Sequence, residues 1–366
     1  MLRVGIVGLP NVGKSTLFNA LIAQEAALAA NYPFATIEPN VGVVAVPDER
    51  LQALEKIYRP QRVVPAAVEF VDIAGLVKGA SEGAGLGNQF LANIRETDAI
   101  VQVVRCFDDE KITHVEGSVN PVRDIETIQI ELALADLASI EKKFDKLSKS
   151  AKAGDKSAAL SLTVLEKIKP ALEEGKPVRS VDLTEEEKSI VKSWFLLTAK
   201  PTIYAANVNE ETLSNPNSNS YVRAVMSYAE AEGCEAVVIC AKLEAELVGL
   251  EEEERLEFLR SLGAHSSGVD KLIKSAYKTL GLISFLTAGE KEVRAWTIPI
   301  GTKAPQAAGK IHSDMERGFI RAEIIAFEDL LRAGSEKAAR EQGLIRLEGK
   351  DYVMQEGDIA YFRFNV

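Results

Sequence analysis

Gly8, Gly13, Lys14 and Ser15 stand at the spacing Gly, four free positions, Gly-Lys-Ser, directly after the apolar run from Leu2 to Val7. In that pattern backbone N–H groups wrap phosphates, the lysine reaches the terminal pair and the hydroxyl is offered to magnesium. Asn11, Val12, Gly13, Lys14, Ser15 and Thr16 are therefore the expected nucleotide contacts of this loop, with a helix opening behind it whose N-terminus favours anions. A second apolar run ends at Asp72, followed by Ile73-Ala74-Gly75. A carboxylate there is the expected partner of the Mg²⁺ shell, and Gly75 would give its backbone N–H to the γ-phosphate. Between the two, Thr36 closes the loop Asn31-Tyr32-Pro33-Phe34-Ala35-Thr36 and is the natural second hydroxyl ligand of a switch segment. The predicted metal ligands are thus Ser15, Thr36 and Asp72.

Lys14 and Gly75 stabilise charge, and hydrolysis also needs a positioned water. Many Ras-like enzymes orient it with glutamine directly after the switch glycine, whereas here that residue is Leu76, which has neither donor nor acceptor. One candidate is His114, one of three histidines, in the loop that follows the run Ala99–Cys106. A second route is a monovalent cation such as K⁺ held by Asn11, adding positive charge without an arginine finger. The stretch from Val77 to Gly87 is rich in glycine and reads as a mobile segment.

Guanine-specific proteins of this type carry Asn-Lys-x-Asp, whose aspartate takes two hydrogen bonds from the guanine edge. The corresponding residues are Asn207-Val208-Asn209-Glu210. Glu210 is one methylene too long for that geometry, and Val208 offers an apolar wall where lysine would stack. Adenine loses less, so ATP is expected over GTP, with Asn207, Val208, Cys240 and Ala241 at the base.

These residues need strands to place them. Six short β-branched runs, Val4–Val7, Val41–Val46, Val68–Asp72, Ala99–Cys106, Thr202–Ala206 and Ala236–Cys240, predict a doubly wound, mostly parallel six-stranded α/β sheet. Almost a hundred residues separate the fourth and fifth. Asn120-Pro121 opens a helical pattern with Leu137, Ile140, Phe144 and Leu147; Gly154 breaks it; Leu165, Ile168 and Leu172 resume it; Thr184 and Glu187 form a capping box. A coiled helical hairpin over 121–196 is predicted. Residues 141–169 carry eight lysines against four acids, which fits either an RNA-docking face or a solvated helix surface with i,i+4 pairs. A third region from about 282 contains strand-like Val293–Ile298 and Tyr352–Phe364 and helix-like Phe327–Arg332 and Ala338–Gln342, an α+β module with 12 basic and 13 acidic residues.

The 366 residues are enough for two or three domains, and 46% hydrophobic content fills their cores. A net charge of −11 excludes broad nonspecific nucleic-acid binding, so no DNA partner is expected and any RNA contact must be local. No apolar run reaches the roughly 18 residues needed to span a bilayer, so no membrane partner is expected. Cys106, Cys234 and Cys240 are too widely spaced for a disulfide or metal framework. A cytoplasmic location follows.

The motifs at 8–16, 32–40, 72–80, 83–88 and 207–210 together resemble the YchF, or Obg-like, ATPase family over nearly the whole chain. The resemblance implies an Obg-type nucleotide domain over 1–282 interrupted by the insertion at 121–196, and a C-terminal TGS domain of β-grasp type over 283–366. It also implies ATP hydrolysis with weaker GTP use, a part for the histidine at 114 in hydrolysis, links to stress responses, and association with the ribosome, expected through the large subunit and its RNA. The family often has cysteine where Ala35 stands, so thiol-based redox control at that position is not expected here. Competing readings are a nucleotide-switched ribosome-binding module with negligible hydrolysis, and a GTPase; a phosphotransferase has little support, as no acceptor-binding lid is recognisable.

Overall fold

The computed structural model describes residues 2–23, 40–74, 86–264 and 266–365. Ala35, Thr36, Gly75, Leu76 and the glycine-rich stretch to Gly85 lie outside the described residues.

Among the described residues seven strands precede the C-terminal region: β1 (Arg3–Val7), β2 (Val41–Ala45), β3 (Arg62–Val64), β4 (Ala67–Asp72), β5 (Ala99–Arg105), β6 (Thr202–Asn207) and β7 (Glu235–Ile239). Six of them form one sheet in the order β2-β4-β1-β5-β6-β7. These are the six runs read from the sequence, shifted by at most a residue or two. The pairs β1–β4, β1–β5, β5–β6 and β6–β7 are parallel. Every residue of β5 and β6 is buried, which is why they are dominated by apolar residues without a regular apolar–polar alternation. The register pairs Ile6 with Asp72, Arg105 with Asn207 and Asn207 with Ile239. Parallel strands in that register deliver all their carboxyl ends to one edge, where an open α/β sheet binds ligands.

The insertion lies between β5 and β6. Its first helix, Pro121–Lys152, starts as predicted, with Asn120 capping Arg123 N–H and Pro at the first position. Gly154 turns the chain at φ +93°, and Asp155 caps the returning helix, Lys156–Glu173. The Thr184–Glu187 capping box is present at the start of Glu185–Lys192. Ile140, Leu165, Ile168 and Leu172 are buried in the hairpin's own core, with Leu137 and Leu147 packed on it. Phe144, expected in the seam, is 40% exposed. It stands about 40° round the helix from Ile140, on the lip of a groove of about 280 Å³ beside Leu165 and Lys169. Buried Asp136 ties the hairpin to the segment that leads into β6, accepting from Leu197 N, Thr198 N and Thr198 Oγ1 at 2.7–2.8 Å.

The C-terminal residues add β8 (Leu282–Ala288), β9 (Glu292–Pro299), β10 (Phe319–Ala326), β11 (Arg346–Glu348) and β12 (Asp358–Phe364). A second sheet runs β11-β10-β12-β8-β9-β3, and the helix Ala304–Ile311 buries Ala304, Ala307 and Ala308 with Phe285, Ile324 and Phe362. The strand expected over 352–364 begins only at Asp358, because Asp358 Oδ2 accepts from Tyr352 Oη and Gln355 N and folds the preceding residues into a turn. By internal packing, residues 43–68 group with 277–366, although the sequence suggested a break at 282. The reason is long-range pairing: β3 runs parallel to β9, and Arg50 of the helix Glu49–Tyr58 forms ion pairs with Asp48 and Glu356.

Candidate nucleotide site

The loop between β1 and the helix Lys14–Ala23 contains two left-handed residues, Asn11 at φ +65° and Gly13 at φ +95°. Asparagine tolerates that region, and glycine enters it freely. Val12 is buried between them, and the turn presents the start of the helix to the sheet edge. Lys14 is buried, and its Nζ forms an ion pair with Asp72 Oδ1. Ser15 and Thr16 are exposed at the helix start. The two phosphate-handling motifs of the sequence thus meet.

Asn207, at the end of β6, is buried and joins two loops. Its Nδ2 donates to Val12 O at 2.8 Å, and its Oδ1 accepts from Ala241 N at 2.9 Å. The Gly8–Ser15 loop is therefore latched to the Cys240-Ala241 loop that follows β7. One N–H and one lone pair of the amide remain for a ligand. Glu210, the residue in place of the guanine-selecting aspartate, pairs with Lys242 at 3.0 Å.

The loop after β5 is held by a residue that carries no motif. Arg105 is 1% exposed, and its guanidinium donates to the carbonyls of Phe107, Asp109 and Ile112 while stacking on the Phe107 ring. The available signal was an arginine closing an otherwise uncharged strand, since a buried cation must find several acceptors. Next along, Thr113 O accepts from Asn11 Nδ2 at 3.2 Å. His114 then turns away from the cavity and is buried: Nε2 lies 2.8 Å from Asp124 Oδ2, and Nδ1 accepts from Glu116 N–H at 3.1 Å. Neighbouring Cys106 is buried as well, and burial followed by the Asp124 charge pushes its thiol up to about 12, leaving it inert at neutral pH. The Cys240 thiol is also raised by burial.

Asn11, Gly13, Thr16, Asn207, Val208, Cys240 and Ala241 line one cavity of about 590 Å³, whose remaining wall includes Phe107 and Ile112. Lys14, Ser15 and Asp72 lie beyond that lining, at the end of the loop where phosphates would follow. Among the described residues no three His, Cys, Asp or Glu side chains cluster as a ready-made metal site, and no helix is long and apolar enough to cross a membrane.

A YchF protein of Bacillus subtilis, "Ribosome-binding ATPase YchF", is 56% identical over the full length of both chains. The chain belongs to the YchF family. The YchF of Pasteurella multocida, with the same description, is 55% identical over all of this chain and 99% of its own. The solved structure of the Schizosaccharomyces pombe YchF GTPase superposes with a TM-score of 0.88 at 42% identity, covering 99% of this chain and 97% of that one. Two family models match parts of the sequence: "50S ribosome-binding GTPase" over residues 3–135, and the YchF GTPase C-terminal model, "Protein of unknown function (DUF933)", over 282–365. The YchF relatives are thus described with both nucleotides, which makes base choice the chemical question at this site.

Proposed function

We propose that this chain binds and hydrolyses ATP in preference to GTP, and that the cycle governs its association with the ribosome. The carrying observation is the Asn207 latch, which fixes a phosphate loop and a base loop around one cavity. The full-length YchF relatives described as ribosome-binding ATPases support both activity and partner. Val208 gives an apolar wall, and Glu210 is engaged by Lys242 and is too long for the two-bond grip on guanine. Competition titration of ATP against GTP tests the choice: ATP is expected to bind at least tenfold tighter, about 1.4 kcal/mol. A preference for GTP by that margin overturns it.

Magnesium would be held by the Ser15 hydroxyl and the Asp72 carboxylate, with Thr36 as the proposed third ligand. These are hard oxygen donors of the kind Mg²⁺ requires, and Asp72 already faces the lysine that accompanies the terminal phosphates. The ion would neutralise charge on the transferring phosphoryl group. Lys14 orients the same group, the Gly75 N–H is proposed to meet the γ-phosphate, and His114 to handle the attacking water. Asn11 is the proposed K⁺ ligand: its Nδ2 donates to Thr113 O, and among the described residues no hydrogen bond engages its Oδ1.

For the ribosome we favour the large subunit's RNA, docked by the hairpin, and a cytoplasmic site of action. Lys142, Lys146 and Lys149 share one helix face over about 10 Å. Together with Lys143, Lys152 and Lys156 they form no ion pair among the described residues, although paired charges would mark an ordinary solvated face. Unneutralised lysines suit phosphates. The second reading is a module in which nucleotide only sets conformation; the full engagement of both His114 nitrogens favours it. Phosphate release measured with and without ribosomes separates the two.

A further inference from the structure

His114 cannot take or give a proton to water as it stands. A backbone N–H only donates, so Nδ1 in contact with Glu116 N must carry the lone pair. The proton of the neutral ring is then on Nε2, given to Asp124. Both nitrogens are spent. The two side chains are 4% and 3% exposed, so the pair is shielded from bulk water.

Asp124 sits in the first turn of the insertion helix Pro121–Lys152, yet it does not cap that helix, a task Asn120 performs. Its carboxylate instead spans two partners, His114 through Oδ2 and the Arg123 guanidinium through Oδ1 at 3.0 Å. On the other side, Ile112 is fixed to β5 by Arg105, and Thr113 is fixed to the phosphate loop by Asn11. The boundary between the part of this loop that belongs to the nucleotide cavity and the part that belongs to the insertion therefore falls between Thr113 and His114. Their Cα atoms are about 3.8 Å apart. A small shift of the first helical turn would free Nε2 without disturbing the loop that lines the cavity, while Nδ1 keeps its bond to Glu116 N–H.

We propose that Asp124 is a positioning residue that parks His114, so that the first turn of the insertion helix gates hydrolysis. The proposal rests on the reading of His114 as the group that handles the attacking water. A partner seated on the hairpin acts on the gate mechanically, through the helix that carries Asp124, and need not touch the nucleotide.

Steady-state hydrolysis by the full chain without ribosomes tests this. Asp124→Ala, which removes the acceptor, should raise kcat about three- to tenfold with KM for ATP unchanged. Asp124→Asn, which keeps an acceptor oxygen but loses its charge, should raise it less. The double variant with His114→Ala should fall back to the rate of His114→Ala alone, an outcome that a general loosening of the fold would not give. Unchanged or lowered kcat in Asp124→Ala, with ATP affinity intact, overturns the proposal. If that variant does not fold, Asp124→Asn decides, and turnover at or below the wild type counts against parking. Wild-type turnover in His114→Ala instead refutes the role of the histidine itself, a separate failure that removes the gate with it.

Discussion

The side-chain amide of Asn207 lies against Gly13 so closely that a Cβ at position 13 would collide with Nδ2. The contact exists because Nδ2 reaches past Gly13 to the Val12 carbonyl. Gly13→Ala therefore carries two penalties, a left-handed φ that costs an L-residue about 1–2 kcal/mol and the expulsion of the amide that latches the two loops. ATP affinity should fall at least a hundredfold by calorimetry. Asn207→Ala, which removes the two bonds without the clash, should cost roughly ten- to a hundredfold, at about 1 kcal/mol per bond. Near-native affinity in Gly13→Ala would show that the latch does not shape the site.

The parts of this site that were legible in the sequence are those carried by local pattern. Buried parallel strands read as apolar runs, and the phosphate loop follows the first of them because its glycines are required by its turn. The insertion announced itself through Asn120-Pro121 and Thr184/Glu187, both caps with short-range chemistry. What escaped is set by distant partners. The work of Arg105 is defined by three carbonyls of a loop with no pattern of its own, and the pairing of His114 with Asp124 joins a loop to a helix ten residues on. β3 and the grouping of 43–68 with the C-terminal residues depend on pairing with β9, more than two hundred residues away. β8 and β10 were illegible for a nearer reason. β8 follows the helix Gly268–Thr279 almost at once, and the charges of Arg321 and Glu323 interrupt the apolar pattern of β10.

The hairpin face makes a prediction independent of the nucleotide. Changing Lys142, Lys143, Lys146 and Lys149 together to Glu should weaken sedimentation with large ribosomal subunits by at least tenfold at physiological salt. The dependence of log affinity on log salt should flatten by about one unit for each lysine that had neutralised a phosphate. ATP affinity should not move, because none of the four lines the cavity. Unaltered association at every salt concentration would return these lysines to the role of a solvated surface.

Glu323 offers a test in the unit formed by 43–68 and 277–366. Its carboxylate, buried on β10, accepts from Arg340 Nη2 at 2.9 Å and from Arg363 Nε at 2.6 Å. The Arg340 hydrogen bond first, and then Arg363, hold it below its ordinary value of 4.5. A carboxyl group whose pKa is lower folded than unfolded contributes its full stability above the unfolded value. That contribution drains away as pH falls through the lower folded value. Wild-type protein should therefore lose stability on acidification from pH 5 to about 3 more steeply than Glu323→Gln, which has no charge to lose. At pH 7 the variant should already melt a few degrees lower. Both arginines are about half exposed, so added salt should narrow the gap between the two proteins. Trp296 lies in this unit, stacked on Phe285, and reports its unfolding by fluorescence in a Trp194→Phe background. Parallel acid profiles for the two proteins would mean that the arginines merely flank Glu323 without stabilising its charge.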